Sequence, residues 1–128
     1  MKPTFAKFAV KEVLWADLPI RDPHGHEQEG HRPVIVVSVP ENVEAIPYPV
    51  IHVVPVTKTA LSGVLFPTLA AGMGGLPLES TALIFQTMML DARRVSGRLG
   101  ILNDLEFAPI RLGLQALFGA ALEVGSQS

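Results

Sequence analysis

The apolar residues of this 128-residue chain fall into short runs rich in valine and isoleucine, which turn-forming segments separate. Eleven glycines and eleven prolines divide the chain, and β-branched runs of this length are typical of strands. The intervening segments 21–31, 40–49 and 70–79 are rich in polar residues, proline or glycine and favour turns. We therefore predict strands over residues 8–18, 33–39, 50–56, 64–69 and 81–90.

Near the C-terminus the apolar residues recur at helical spacing instead. Asn103 is predicted to cap this helix, with Glu106 completing a capping box three residues later. Because Pro109 lacks a backbone N–H, we expect the regular helix to begin near Ala108 after a looser first turn, and to end at Gly119. The pattern as a whole predicts a mostly β chain, a small curled sheet or barrel that a C-terminal helix closes.

Composition narrows the class of protein. Apolar residues make up 48% and charged residues 17%, so we expect one domain with an oligomer interface in addition to its core. The net charge of −2 excludes binding of nucleic acid by bulk positive charge, although not by a local basic groove. The lack of cysteine excludes disulfides, thiolate metal sites and cysteine nucleophiles.

The localisation is predicted from the lack of a secretory signal and of a membrane-spanning segment in the sequence. The N-terminal segment does not resemble a secretory signal, and no apolar run approaches the roughly 20 residues that span a bilayer. We expect a cytoplasmic protein without membrane contact.

A polar, glycine-bracketed loop over residues 25–30 leads into the strand at 33–39. It delivers Arg32 to the start of that strand, where Pro33 restrains the preceding backbone. Loops on rigid scaffolds concentrate functional residues, but a solvated arginine at a strand end fits this loop equally well. His26 and His31 are candidate proton carriers. Since the histidines share one loop, we predict neither a metal site nor a cofactor.

Two later segments carry further candidates. The strand over 50–56 ends in Thr57 and Lys58, which can contact a phosphate, although Thr57 as an ordinary turn or cap residue is the simpler interpretation of that segment alone. Gln86 interrupts an apolar run, where its amide either satisfies nearby backbone or lines a groove. Asp91 and Arg94 are predicted to form a structural ion pair at a turn.

Taken in this order, the segments resemble the MazF/PemK family of toxin endoribonucleases. The arginine loop is the most specific part of the match, which covers roughly residues 10 to 119. The matching motifs are Trp-Ala-Asp-Leu at 15–18, Gly-x-Glu-Gln-x-Gly-x-Arg-Pro at 25–33, Pro-Val-Thr at 55–57, and Ser80 followed by Gln-x-x-x-Leu-Asp-x-x-Arg at 86–94.

The resemblance implies one domain over residues 1–128, with a core at about 10–119. Its fold would be an SH3-like barrel of five to seven strands with a C-terminal helix, as in MazF and in the gyrase-poisoning CcdB proteins. The implied function is that of a type II toxin, a homodimer that cleaves single-stranded RNA at short sequences without a metal. A cognate antitoxin would be its protein partner.

Carried over residue by residue, the resemblance makes Arg32 and Thr57 the catalytic pair. They would donate hydrogen bonds to the phosphoryl oxygens while the RNA 2′-hydroxyl attacks, giving a 2′,3′-cyclic phosphate and a 5′-hydroxyl. The identity of the general base stays open, with His26 and His31 as auxiliary candidates. The residues expected to hold the RNA are Glu27, Gln28, Ser38, Lys58 and Gln86.

Three positions depart from the family pattern. Lys11 replaces a glycine before the first strand, Phe85 replaces a polar residue, and Met88 replaces a basic residue that would contact phosphate. Two alternatives therefore remain, a non-enzymatic toxin or binding module resembling the CcdB proteins and a degenerate homologue that only binds an antitoxin. The presence of both Arg32 and Thr57 favours the nuclease over the CcdB-like alternative.

Overall fold

The computed structural model describes residues 8–19, 30–40 and 49–119, which form seven strands, one α-helix and three short 3₁₀ turns. The prediction of a mostly β chain closed by a C-terminal helix is confirmed. The elements are β1 (Glu12–Leu18), β2 (Gly30–Ser38), β3 (Val50–Thr57), β4 (Thr68–Leu69), β5 (Ser80–Ala82), β6 (Met88–Asp91), β7 (Val95–Ile101) and α1 (Asp104–Phe118).

The strands form one antiparallel sheet in the order β4-β5-β3-β2-β1-β7, and β6 also pairs with β3. β3 therefore has three neighbours. β2 pairs along much of its length, β6 pairs with its first half, and β5 pairs with its last two residues. Because β6 and β5 pair with different parts of β3, the sheet must bend along β3. It curls into a half-barrel.

Both faces of the central strands are buried, because apolar residues occupy both sets of alternating positions. On one face Ile35 packs in a cluster with Phe107 and Ile110 of α1. On the opposite face Val34 packs in a second cluster with Leu90 of β6. The strands at the centre of the sheet are thus held rigidly from both sides.

Two predicted strands differ from the structure, and one observed strand was not predicted. The predicted strand over 81–90 is divided by a 3₁₀ turn at Ile84–Gln86, which sends β5 and β6 to different parts of β3. The predicted strand over 64–69 is reduced to β4. β7 was not predicted, because its two glycines dilute the apolar pattern, yet the close packing of this strand needs one of them. A Cβ at Gly100 would lie 2.7 Å from the carbonyl oxygen of Gly74.

The helix cap is confirmed and the predicted helix start is wrong. The Asn103 side chain accepts the Glu106 N–H at 2.8 Å, and the Asn103 N–H donates to the Glu106 carboxylate at 2.9 Å. α1 nevertheless begins at Asp104 and continues through Pro109. The carbonyl that Pro109 leaves without its helical donor belongs to Leu105, a residue that is 85% exposed, so water can bond it.

Among the described residues, no helix combines the length and apolar character that crossing a membrane requires.

Two local contacts explain positions that the sequence left open. Lys11 has a φ of +83°, the conformation that glycine adopts most easily, and its side chain pairs with Asp104. The predicted ion pair of Asp91 forms with Arg93 instead of Arg94, with Arg93 Nη2 2.6 Å from Asp91 Oδ2. Hydrogen bonds from Arg93 lower the pKa of Asp91 to about 2. Arg94 donates to the carbonyl oxygen of Asp17 at 3.3 Å.

Candidate active site

A cleft of about 350 Å³ opens where β2 begins and β3 ends. Its lining includes Arg32, Thr57, Lys58 and His31. The antiparallel register brings the first two to one end of the sheet, because Val34 pairs with Pro55 and Arg32 and Thr57 each lie two residues beyond that pair. Two residues that are distant in sequence thus meet at one edge of the sheet.

The Thr57 hydroxyl accepts a local hydrogen bond, which leaves its own hydrogen available for donation. Its Oγ1 accepts the backbone N–H of Thr59 at 3.2 Å, so the turn interpretation of this residue is correct. An oxygen that accepts in this way keeps its own hydrogen for another partner. The turn therefore orients the hydroxyl while leaving its proton available to a ligand in the cleft.

His31 is held in a defined ring plane. β1 pairs with β2 so that Asp17 lies opposite His31 and Trp15 lies opposite Pro33. The His31 Nδ1 is 3.0 Å from the Asp17 carboxylate, and the imidazole stacks on the Trp15 indole with centroids 4.8 Å apart and planes within 5°. Sequence reasoning assigned neither Trp15 nor Asp17 to the site, since only the strand register shows that they meet the histidine.

The cleft has two unlike walls. Arg32, Thr57 and Lys58 provide hydrogen-bond donors, and strand alternation sets Arg32 and Thr57 on the sheet face opposite to Trp15 and His31. Among the described residues that line the cleft, Arg32 and Lys58 are cationic and none carries a carboxylate. The other wall contains His31 and seven residues that sequence reasoning did not assign to the site, which are Trp15, Pro33, Val56, Leu76, Pro77, Leu78 and Ser80.

Not every predicted RNA-binding residue lies at this cleft. Ser38 is exposed at the far end of β2, six residues or about 20 Å from Arg32, and pairs with His52. Gln86 ends the 3₁₀ turn before β6, and the described lining does not include it. His26, Glu27 and Gln28 lie outside the described residues. The described part of the chain contains no group of three His, Asp or Glu side chains placed to hold a metal.

Comparison with known proteins bears on this geometry. The pattern of the family described as PemK-like, MazF-like toxins of type II toxin–antitoxin systems matches residues 10–118. The chain belongs to this toxin family. The resemblance found in the sequence is thereby confirmed over nearly the whole chain.

Solved structures share the fold of this MazF-like chain. MazF from Deinococcus radiodurans is 27% identical, with a TM-score of 0.68 over 86% of this chain and 94% of that one. MazF in the MazE–MazF complex of the same organism is 26% identical, with a TM-score of 0.63 over 87% and 95%. A mycobacterial endoribonuclease solved with its cognate antitoxin is 18% identical, with a TM-score of 0.67 over 89% and 97%, and shows the fold alone. No curated protein sequence matches the chain.

Proposed function

We propose that this MazF-like toxin is a metal-independent, sequence-specific endoribonuclease that cleaves single-stranded RNA. The observation that carries the proposal is the meeting of Arg32 and Thr57 at one cleft, beside Lys58, in a member of this family. Arg32 and Lys58 line this cleft although the chain has a net charge of −2, and such cationic side chains suit a ligand that carries phosphate.

The chemistry follows from the donors at this cleft. When the RNA 2′-hydroxyl attacks the adjacent phosphate, negative charge grows on the phosphoryl oxygens. The planar guanidinium of Arg32 can donate two parallel hydrogen bonds to them, and Thr57 can donate its hydroxyl hydrogen. Because a guanidinium does not give up its proton in proteins, we assign Arg32 to charge stabilisation and the general base to another group.

RNA binding by so few cations should be weak. Arg32 and Lys58 are the arginine and lysine that line the described cleft, and each phosphate contact adds about one counterion to the salt dependence of binding. We therefore expect brief binding with a shallow dependence on salt, so that contacts to the bases select the cleavage site.

The proposal includes two protein partners. A cognate antitoxin would occupy the cleft with an acidic segment, which fits its local charge. A second copy of the chain would cover apolar residues of α1 such as Leu105 and Leu112, which are 85% and 60% exposed. The toxin would act in the cytoplasm, where messenger RNA is available, as one domain.

The decisive experiment incubates the purified protein with single-stranded RNA in the presence of EDTA. We expect cleavage to products with a 2′,3′-cyclic phosphate and a 5′-hydroxyl. A substrate with a 2′-deoxy substitution at the cleaved nucleotide is the matched control and should stay intact, because it lacks the attacking oxygen. Intact RNA, together with growth arrest on expression in a host, would instead favour the non-enzymatic toxin.

A further inference from the structure

In the proposed chemistry of the phosphate, the wall of the cleft that contains Trp15 has no assigned role apart from His31 as a candidate proton carrier. Arg32, Thr57 and Lys58 provide the donors proposed to hold a phosphate, whereas Trp15 and His31 line the same cleft with two flat rings from the other face of the sheet. The cleft, at about 350 Å³, is at the lower end of the range of about 300–1,000 Å³ for ligand pockets. This space can take one part of a nucleotide in addition to its phosphate.

We propose that Trp15 and His31 form a stacking platform for one nucleobase of the RNA, a role that rests on the proposed nuclease function. The two rings are parallel within 5°, with centroids 4.8 Å apart. Since one face of the imidazole covers the indole and the His31 side chain is still 54% exposed, its second face can receive a third ring. Single-stranded nucleic acids are commonly bound by aromatic stacking next to positive charge.

Contacts within the chain hold the two rings of the platform in place. The Asp17 carboxylate lies 3.0 Å from His31 Nδ1, and the β1–β2 register fixes both side chains on the same sheet face as Trp15. The pair of Phe66 and Phe85 is different, because its rings meet edge-on at 60° and it does not line the described cleft. Phe85 is 47% exposed, so it offers a matched aromatic control outside the platform.

The chain provides its own probe of the platform, because Trp15 is its single tryptophan. A pool of short single-stranded DNAs of mixed sequence carries bases but lacks the 2′-hydroxyl, so it is bound without being cut. An abasic DNA of the same length carries the same phosphates and no bases. We expect the pool to quench the Trp15 fluorescence on binding, and the abasic DNA to bind more weakly without quenching.

Variants separate stacking from other roles of His31. We expect His31→Ala to weaken binding of the pool about 5- to 100-fold and to change binding of the abasic DNA by less than about twofold. His31→Phe keeps a flat ring and should retain binding of the pool, which a loss of charge or of a proton carrier would not predict. Phe85→Ala should bind both DNAs as the wild type does, and thermal unfolding checks that each variant folds.

The platform and the nuclease function can fail separately. Unchanged binding of the pool by His31→Ala, or an equal loss in His31→Phe, would overturn the platform even where the wild type cleaves RNA. The platform would be supported if the pool quenches Trp15 fluorescence in the wild type and in His31→Phe but not in His31→Ala. That result would stand even if no RNA is cut and the nuclease function fails.

Discussion

The cleft and the junction between α1 and the sheet use the same central strands but contain opposite kinds of residue. At the junction, Phe107 and Ile110 are buried against Ile35, and a capping box fixes the start of the helix. At the cleft, Arg32 and Lys58 are exposed. β2 contains both environments, since it changes from an exposed arginine to fully buried valine and isoleucine within three residues.

The contrast between the two regions indicates how a small chain can hold exposed donors in place. The buried half of β2 fixes the backbone, so that the exposed half needs few contacts of its own to keep its orientation. Changes at the cleft should therefore reduce activity with little effect on stability, and changes at the junction should do the opposite. Arg32→Ala and Ile110→Ala test that separation.

The largest effect is expected at the cleft. Arg32→Ala removes the planar pair of donors and should lower the rate of RNA cleavage by about 10²–10³, while its free energy of unfolding stays within about 0.5 kcal/mol of the wild-type value. Single-turnover cleavage and urea unfolding measure the two quantities. Arg32→Lys is the control, because it keeps the positive charge but loses the planar pair of donors. Its cleavage rate should lie between those of the wild type and Arg32→Ala. Cleavage by Arg32→Ala at the wild-type rate would remove Arg32 from the catalytic pair.

The second effect is expected at the junction. Ile110→Ala leaves a cavity at a fully buried position and should lower the free energy of unfolding by about 2–5 kcal/mol. The protein that remains folded should cleave RNA at nearly the wild-type rate.

Leu112→Ala, two residues further along α1, is the matched control. At protein concentrations too low for the proposed dimer to form, it should change the free energy of unfolding by less than about 0.5 kcal/mol, because Leu112 is 60% exposed in the single chain. An equal loss in both variants at those concentrations would contradict this exposure, whereas a loss in Leu112→Ala that appears only at higher concentrations would support burial of this face in the dimer. Urea unfolding at several protein concentrations distinguishes the two outcomes.

The smallest effect is a pH dependence of stability that arises at His52. Burial lowers the pKa of His52 from its usual value of 6.5, so the unfolded chain takes up a proton at a higher pH than the folded chain does. Stability should therefore decrease as the pH falls below about 6.5, until the lower folded pKa is passed, by less than about 1.4 kcal/mol per pH unit. His52→Gln should reduce this slope in urea unfolding between pH 7.5 and 5.5. An unchanged slope would show that other groups cause the acid sensitivity.

Much of the fold could be predicted because its signals are local. The alternation of turn segments and β-branched runs located β1, β2 and β3, and Asn103 with Glu106 located the cap of the helix. The predictions that differed depend on contacts that are distant along the chain. β7 contains two glycines, and one of them fits only because Gly74 packs against it. The predicted strand over 81–90 is divided because β3 offers two separate edges to pair with.

The candidate site divides in the same way. Arg32 and Thr57 each stand out in the sequence, as an arginine before a proline and as a hydroxyl at a strand end. Whether they share a cleft depends on the register between β2 and β3, which no local pattern shows. Ser38 shows the reverse case, since it follows Arg32 closely in the sequence yet lies at the other end of an extended strand.

The sequence by itself determined the β-rich class, the helix cap, the family and the residue types able to bind phosphate, because each depends on near neighbours in the chain. The tertiary structure alone decided which of these residues meet. It brought Arg32 and Thr57 to one cleft and stacked His31 on Trp15, since antiparallel pairing fixes which side chains of separate strands lie near one another.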